Sequence, residues 1–81
     1  MNVIKKLHEQ TNLPYKHISD NINQMLEQKK ESVRLAERTL IHYANGDFYP
    51  KRKPIIKALA EYFEMEPSAL IENLKTNKET A

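Results

Sequence analysis

Glycine is almost absent from this chain, and that scarcity limits the folds open to it. Gly46 is the single glycine in 81 residues, whereas tight β-hairpins need positive φ angles at their corners and usually take glycine there. Ala, Leu, Glu, Lys and Gln together favour helix instead. The sequence therefore predicts an all-α fold, and its length allows one domain, residues 1–74, followed by a disordered polar tail, residues 75–81.

Apolar residues recur at helical spacing in five segments that are separated by polar or proline-containing turns. The predicted helices span about 3–10, 14–28, 33–45, 54–63 and 67–74. Asn2 and Ser32 are the predicted N-caps of the first and third helices. Gly46 follows the third helix, where a residue in the left-handed region would end it. Pro54 and Pro67 occupy first-turn positions, which tolerate proline.

The predicted third helix has one buried face and one exposed face. The face predicted to be buried carries Val33, Ala36, Leu40, Tyr43 and Ala44. The face predicted to be exposed carries Arg34, Arg38, Ile41 and Asn45, with Glu37 and His42 beside it. Other aromatic and sulfur-containing side chains predicted to pack in the core are Tyr62, Phe63, Met25 and Met65.

The positive charge is concentrated in the middle third of the chain. Residues 29–53 hold seven basic and three acidic side chains, whereas residues 1–28 hold three of each and residues 54–81 hold three basic and five acidic. A localised basic surface is typical of a nucleic-acid contact, because bound phosphates release their counterions. A solvated face with no ligand is the alternative reading of these charges.

Several function classes are excluded by what the sequence lacks. Without cysteine there is no disulfide framework and no thiolate metal site, which fits a cytoplasmic protein. No apolar run approaches the roughly 18 residues that a membrane span requires. His8, His17 and His42 form no i, i+4 pair, and no glycine-rich phosphate loop or nucleophile motif is present. We therefore expect no enzyme activity, no metal and no cofactor.

The second half of the sequence carries a recognisable pattern. Tyr43-Ala44-Asn45-Gly46, a basic loop with Pro50, the helical run 56–63 and then Ser68-Ala69-Leu70 resemble the phage repressor and Cro-like (lambda-repressor-like) helix-turn-helix family. The resemblance spans roughly residues 3–74 and is most specific over 43–70. It implies a five-helix DNA-binding domain. Asn23 to Ser32 lengthen the connection between the second and third helices relative to that family.

The resemblance implies a sequence-specific regulator of transcription, a small phage or bacterial repressor, which places its third helix in the major groove of double-stranded DNA. Alignment on the Asn45-Gly46 corner assigns base-reading positions to Arg34, Glu37, Arg38, Ile41 and His42. Arg38 is suited to guanine and Ile41 to a thymine methyl group. Phosphate contacts are expected from Tyr15, Lys16, Asn45, Lys51, Arg52 and Lys53.

Partner contacts are less defined by the sequence. Many such regulators are dimers, and the candidate dimer contacts are Leu70, Ile71 and Leu74 of the last helix or Phe48 and Tyr49 of the loop. A second hypothesis is a protein-interaction module on the same scaffold, such as an antirepressor, an antitoxin or a phage factor that binds a host protein. The two adjacent aromatic residues at 48 and 49 favour that alternative.

Overall fold

Five α-helices make up the described part of the chain. The structure is a computed structural model that describes residues 2–79, except for the side chains of residues 76–79. The helices are α1 (Val3–Thr11), α2 (Tyr15–Gln28), α3 (Glu37–Asn45), α4 (Lys53–Tyr62) and α5 (Pro67–Glu79). No strand occurs in residues 2–79, so the all-α prediction is confirmed there. None of the described helices is long and apolar enough to cross a membrane.

The core lies where the helices converge. α3 packs against α1, α2 and α5, and α4 packs against α2 and α5. The fully or nearly fully buried apolar side chains come from all five helices, from one residue of the α2–α3 connection and from one residue of the α3–α4 loop: Ile4, Ile18, Ile22, Leu26, Leu35, Leu40, Tyr43, Ala44, Pro50, Ile55, Ala58, Leu59, Ala60, Leu70 and Leu74. Met25, Tyr62, Phe63 and Met65 are half-buried against this core, as predicted. Each fully buried large apolar side chain contributes about 1.5–3 kcal/mol to the free energy of unfolding.

Asn2 is a buried polar residue that fixes the start of α1. Its Oδ1 accepts a hydrogen bond from the Lys5 N–H at 3.0 Å, which confirms the predicted N-cap. Its Nδ2 donates to the Tyr43 carbonyl oxygen at 2.7 Å, and the neighbouring Val3 N–H donates to Asn73 Oδ1 at 2.9 Å. The N-terminus of α1 is therefore tied to both α3 and α5.

The predicted start of the third helix is wrong. Ser32 is not an N-cap, because residues 31–36 are non-helical and α3 begins at Glu37 with Ala36 as its N-cap. Leu35 is buried, and the Asn23 side chain pairs with its backbone: Nδ2 donates to the carbonyl oxygen at 2.9 Å, and Oδ1 accepts from the N–H at 2.6 Å. This pairing holds the connection extended against α2. Ala36 is consequently exposed rather than buried.

Each of the first four helices is followed by a residue with positive φ. These residues are Asn12 (57°), Lys30 (60°), Gly46 (82°) and Glu64 (55°). After α3, the Gly46 N–H donates to the Tyr43 carbonyl at 3.2 Å. The Asp47 N–H donates to the His42 carbonyl at 3.0 Å, which completes a Schellman motif and confirms the predicted helix end.

Two further expectations differ from the structure. Leu70 and Leu74 are buried inside the chain and pack in its own core, so they offer no dimer contact, while Ile71 is half-buried. The backbone of α5 is helical to Glu79, beyond Leu74 where the sequence analysis ended it. The last two residues of the predicted polar tail, 80 and 81, lie outside the described residues.

The positive φ angles lead to a test with two variants of opposite expected effect. Gly46→Ala should lower the free energy of unfolding by about 1–2 kcal/mol, because a Cβ is unfavourable in the left-handed region. Glu64→Gly should raise it by roughly 0.5 kcal/mol or more, because it removes the same penalty after α4 and adds only the smaller entropic cost of glycine. Urea denaturation measures both. Equal midpoints for Gly46→Ala and the parent would contradict this assignment.

The pairing of Asn23 with Leu35 is tested in the same way. Asn23→Ala should lower the free energy of unfolding by about 2 kcal/mol, since two backbone hydrogen bonds are lost at roughly 1 kcal/mol each. Gln24→Ala is the matched control, because Gln24 is the adjacent amide and is exposed. Similar losses in both variants would show that the pairing does not stabilise the fold.

Candidate nucleic-acid interface

The outward face of α3 carries most of the residues that the sequence analysis assigned to base reading. Glu37, Arg38 and Asn45 are exposed, and Ile41 and His42 are half-buried. Their spacing places all five along one side of the helix. The buried side of α3 is formed by Leu40, Tyr43 and Ala44. Ile41 thus protrudes less than the sequence predicted, but it still belongs to the accessible face.

Arg38 lies in the first turn of α3 with its guanidinium uncompensated. It is exposed, and no hydrogen bond or ion pair joins it to another residue in the described part of the chain. Glu37 precedes it without pairing with it or with Arg34 there. All five N–H donors of the guanidinium are therefore available to a ligand such as the O6 and N7 atoms of guanine.

His42 is held by the loop that follows α3. Its Nδ1 lies 3.1 Å from Asp47 Oδ2, and because a carboxylate only accepts, Nδ1 is the donor. The Phe48 ring packs on the imidazole with 4.7 Å between ring centroids. These contacts leave Nε2 as the polar atom with which His42 can contact a ligand.

Arg34 lies off this face, which corrects the sequence analysis. It precedes α3 in the extended connection, so the helical spacing that grouped it with Arg38 does not apply. Its guanidinium nitrogen Nη1 donates to the Glu31 carbonyl at 3.1 Å and to the Val33 carbonyl at 3.0 Å. The side chain instead borders a groove beside α3.

The residues predicted to contact phosphate fall into two groups. Tyr15 and Lys16 begin α2, which packs on α3. The Tyr15 ring stacks on His8 with 4.0 Å between centroids, and burial, followed by the nearby Glu9 carboxylate, raises the pKa of its phenol. The phenol remains a neutral donor. Lys16 pairs with Asp20 at 3.3 Å, an exposed contact that a phosphate could replace at little cost.

The second group lies where the α3–α4 loop enters α4. Lys51, Arg52 and Lys53 are all exposed, and none of them pairs with a carboxylate among the described residues. Asn45 is exposed at the C-terminal end of α3. The segment from the end of the α3–α4 loop to the start of α4 therefore presents three unpaired positive charges close to α3 in the sequence.

The aromatic pair in the loop is only partly covered. Phe48 is 54% exposed despite its contact with His42, and Tyr49 is 38% exposed with the Lys75 ammonium 4.7 Å from the centre of its ring. Tyr49 thereby links the loop to α5 through a cation–π contact. Neither side chain belongs to the core.

The groove beside α3 was not predicted from the sequence. It has a volume of about 470 Å³ and lies between the α2–α3 connection, α3 and the α3–α4 loop. Tyr43, which the sequence analysis assigned to the core, has its ring in the core and also lines this groove. The residue type at position 43 was the one sequence signal for this groove, because a tyrosine can bury its apolar ring and keep its polar hydroxyl at a surface.

Comparison of the chain with family models, with curated proteins and with solved structures finds no match. The helix-turn-helix interpretation therefore depends on the sequence pattern of this chain alone.

Proposed function

We propose that this chain is a sequence-specific double-stranded DNA-binding regulator of the lambda-repressor-like helix-turn-helix class, a small phage or bacterial repressor that reads the major groove with α3. One observation carries the proposal. The outward face of α3 presents Arg38, which is exposed and has no partner in the described residues. An α-helix with its side chains is about 10–12 Å in diameter, which fits a major groove about 12 Å wide.

Base reading on this proposal comes from one helix face. Arg38 donates to guanine O6 and N7, the side chain of Ile41 contacts a thymine methyl group, and Glu37 accepts from cytosine N4. His42 reaches a base or phosphate through Nε2. Arg34 is left out of the base-reading set, because it lies before the helix and faces the neighbouring groove.

Phosphate binding positions the helix without reading sequence. Tyr15 and Lys16 contact one strand from the start of α2, and Asn45 with Lys51, Arg52 and Lys53 contacts the other side of the groove. The long α2–α3 connection is held in place, because Leu35 is buried in the core and its backbone is hydrogen-bonded to Asn23. The start of α3 is therefore positioned for binding.

A protein-interaction module is the second candidate function, and the exposure of Phe48 favours it. A large aromatic side chain in the solvent is typical of a partner contact. A protein-interaction module should show no salt-dependent affinity for duplex DNA. Measuring the affinity for duplex DNA at several salt concentrations therefore separates the two functions.

The base-reading assignment is tested with duplexes selected from a random pool by the parent protein. Arg38→Ala should weaken binding to the preferred duplex by roughly 5- to 150-fold and relax the preference at one base pair. Lys6→Ala, which removes an exposed charge on α1, is the control and should bind as the parent does. Fluorescence anisotropy gives the affinities. Parent-like binding by Arg38→Ala would remove Arg38 from the reading face.

The phosphate assignment is tested through salt. With some four to six phosphate contacts, the logarithm of the affinity should fall against the logarithm of salt concentration with a slope of roughly −4 to −5 per subunit. Lys51→Ala should weaken the preferred and the random duplex alike and reduce the steepness of the slope by about 1. A slope near zero for the parent would favour the protein-interaction module.

A further inference from the structure

The groove beside α3 combines an apolar floor with a basic rim. Val33, Leu35, Phe48 and Ile55 contribute apolar surface, and the volume of about 470 Å³ lies within the 300–1,000 Å³ range of small-molecule sites. DNA phosphates are bound by charge and N–H donors and need no apolar floor. The composition of the groove therefore points to a ligand with an apolar part.

Three cations border this floor: Arg34, Lys51 and Arg52. None of them pairs with a carboxylate within the described residues. Arg34 is oriented by the two backbone carbonyls to which its Nη1 donates, and its remaining N–H groups are left for a ligand. The one acidic side chain at the rim, Asp47, is hydrogen-bonded to His42. The charge of the rim is complementary to an anion.

Tyr43 supplies an independent observation. Its side chain lines the groove, and its hydroxyl has no hydrogen-bond partner among the described residues. That hydroxyl is accessible, because no side-chain oxygen or nitrogen in the described part of the chain is both buried and without a partner. Burial raises the pKa of this phenol, and the nearby Arg52 acts in the opposite direction. The hydroxyl is therefore neutral near pH 7 and can donate to an anion from inside the groove.

We infer that this groove binds a small organic anion that has an apolar or aromatic body. The anionic group is held by Arg34, Arg52 and the Tyr43 hydroxyl, and the body lies on Leu35, Phe48 and Ile55. The inference does not depend on DNA binding, because it requires only the groove and its rim.

A second groove, between α4 and α5, provides the internal comparison. It also combines apolar side chains, Ile56 and Ile71, with cations, among them Lys57. However, the carboxylate of Glu72 lies in its wall, and none of its described lining residues is a tyrosine. If apolar surface and positive charge were sufficient, this groove would bind the same anion equally well.

The test uses 1-anilinonaphthalene-8-sulfonate as the anionic probe and N-phenyl-1-naphthylamine, which has the same aromatic body without the sulfonate, as the neutral control. Binding is followed by fluorescence and by amide chemical shifts of the folded protein. The sulfonate should bind at least about tenfold more tightly than the amine, because charge-assisted hydrogen bonds form with the rim. The shifts should centre on residues 33–35, 39, 43 and 47–52.

Three variants assign the site. Arg52→Gln should weaken sulfonate binding by about tenfold, and Tyr43→Phe, which keeps the ring in the core, should weaken it by about fivefold. Lys57→Gln reports on the second groove and should bind as the parent does. Equal affinity for the two probes, parent-like binding by both Arg52→Gln and Tyr43→Phe, or a loss confined to Lys57→Gln would each overturn the inference.

Discussion

Hydrogen bonds from two asparagine side chains, Asn23 and Asn2, hold α3 at its two ends, and the candidate interface depends on them. Asn23 pairs with both backbone polar groups of Leu35 just before the helix begins. Asn2 donates to the Tyr43 carbonyl near the helix end. Leu40 and Ala44, which are fully buried, fix the rotation of the helix between these points. Because the ends and the rotation are all determined, the face with Arg38 is directed away from the core.

The sequence predicted those features that local chemistry decides. The N-cap at Asn2, the helix end at Gly46 and the start of α5 at Pro67 follow from capping and proline geometry. The start of α3 did not follow, because Ser32 is as good a local N-cap as any. What excludes a helix there is tertiary: Leu35 is buried and pairs with Asn23, twelve positions away. Likewise, the positive φ angles that follow α2 and α4 were not predicted, because they fall on Lys30 and Glu64 and not on glycine.

The proposed interface and the inferred anion site share their cations. Lys51 and Arg52 border the groove and also belong to the expected phosphate contacts, while Thr39 and Tyr43 line the groove from a side of α3 adjacent to the one that carries Arg38. An anion in the groove would compete with phosphate for the same charges. On the two proposals together, a small molecule would therefore lower the affinity for DNA without a conformational change.

The most direct test of the account is to locate the duplex on the folded protein. Isotope-labelled protein is titrated with a duplex selected from a random pool, and amide and arginine side-chain chemical shifts are followed. The account predicts the largest changes in α3, including the Arg38 guanidinium, with smaller ones at Tyr15, Lys16 and residues 51–53. Changes centred on the α4–α5 groove, or a spectrum that the duplex does not alter, would contradict it.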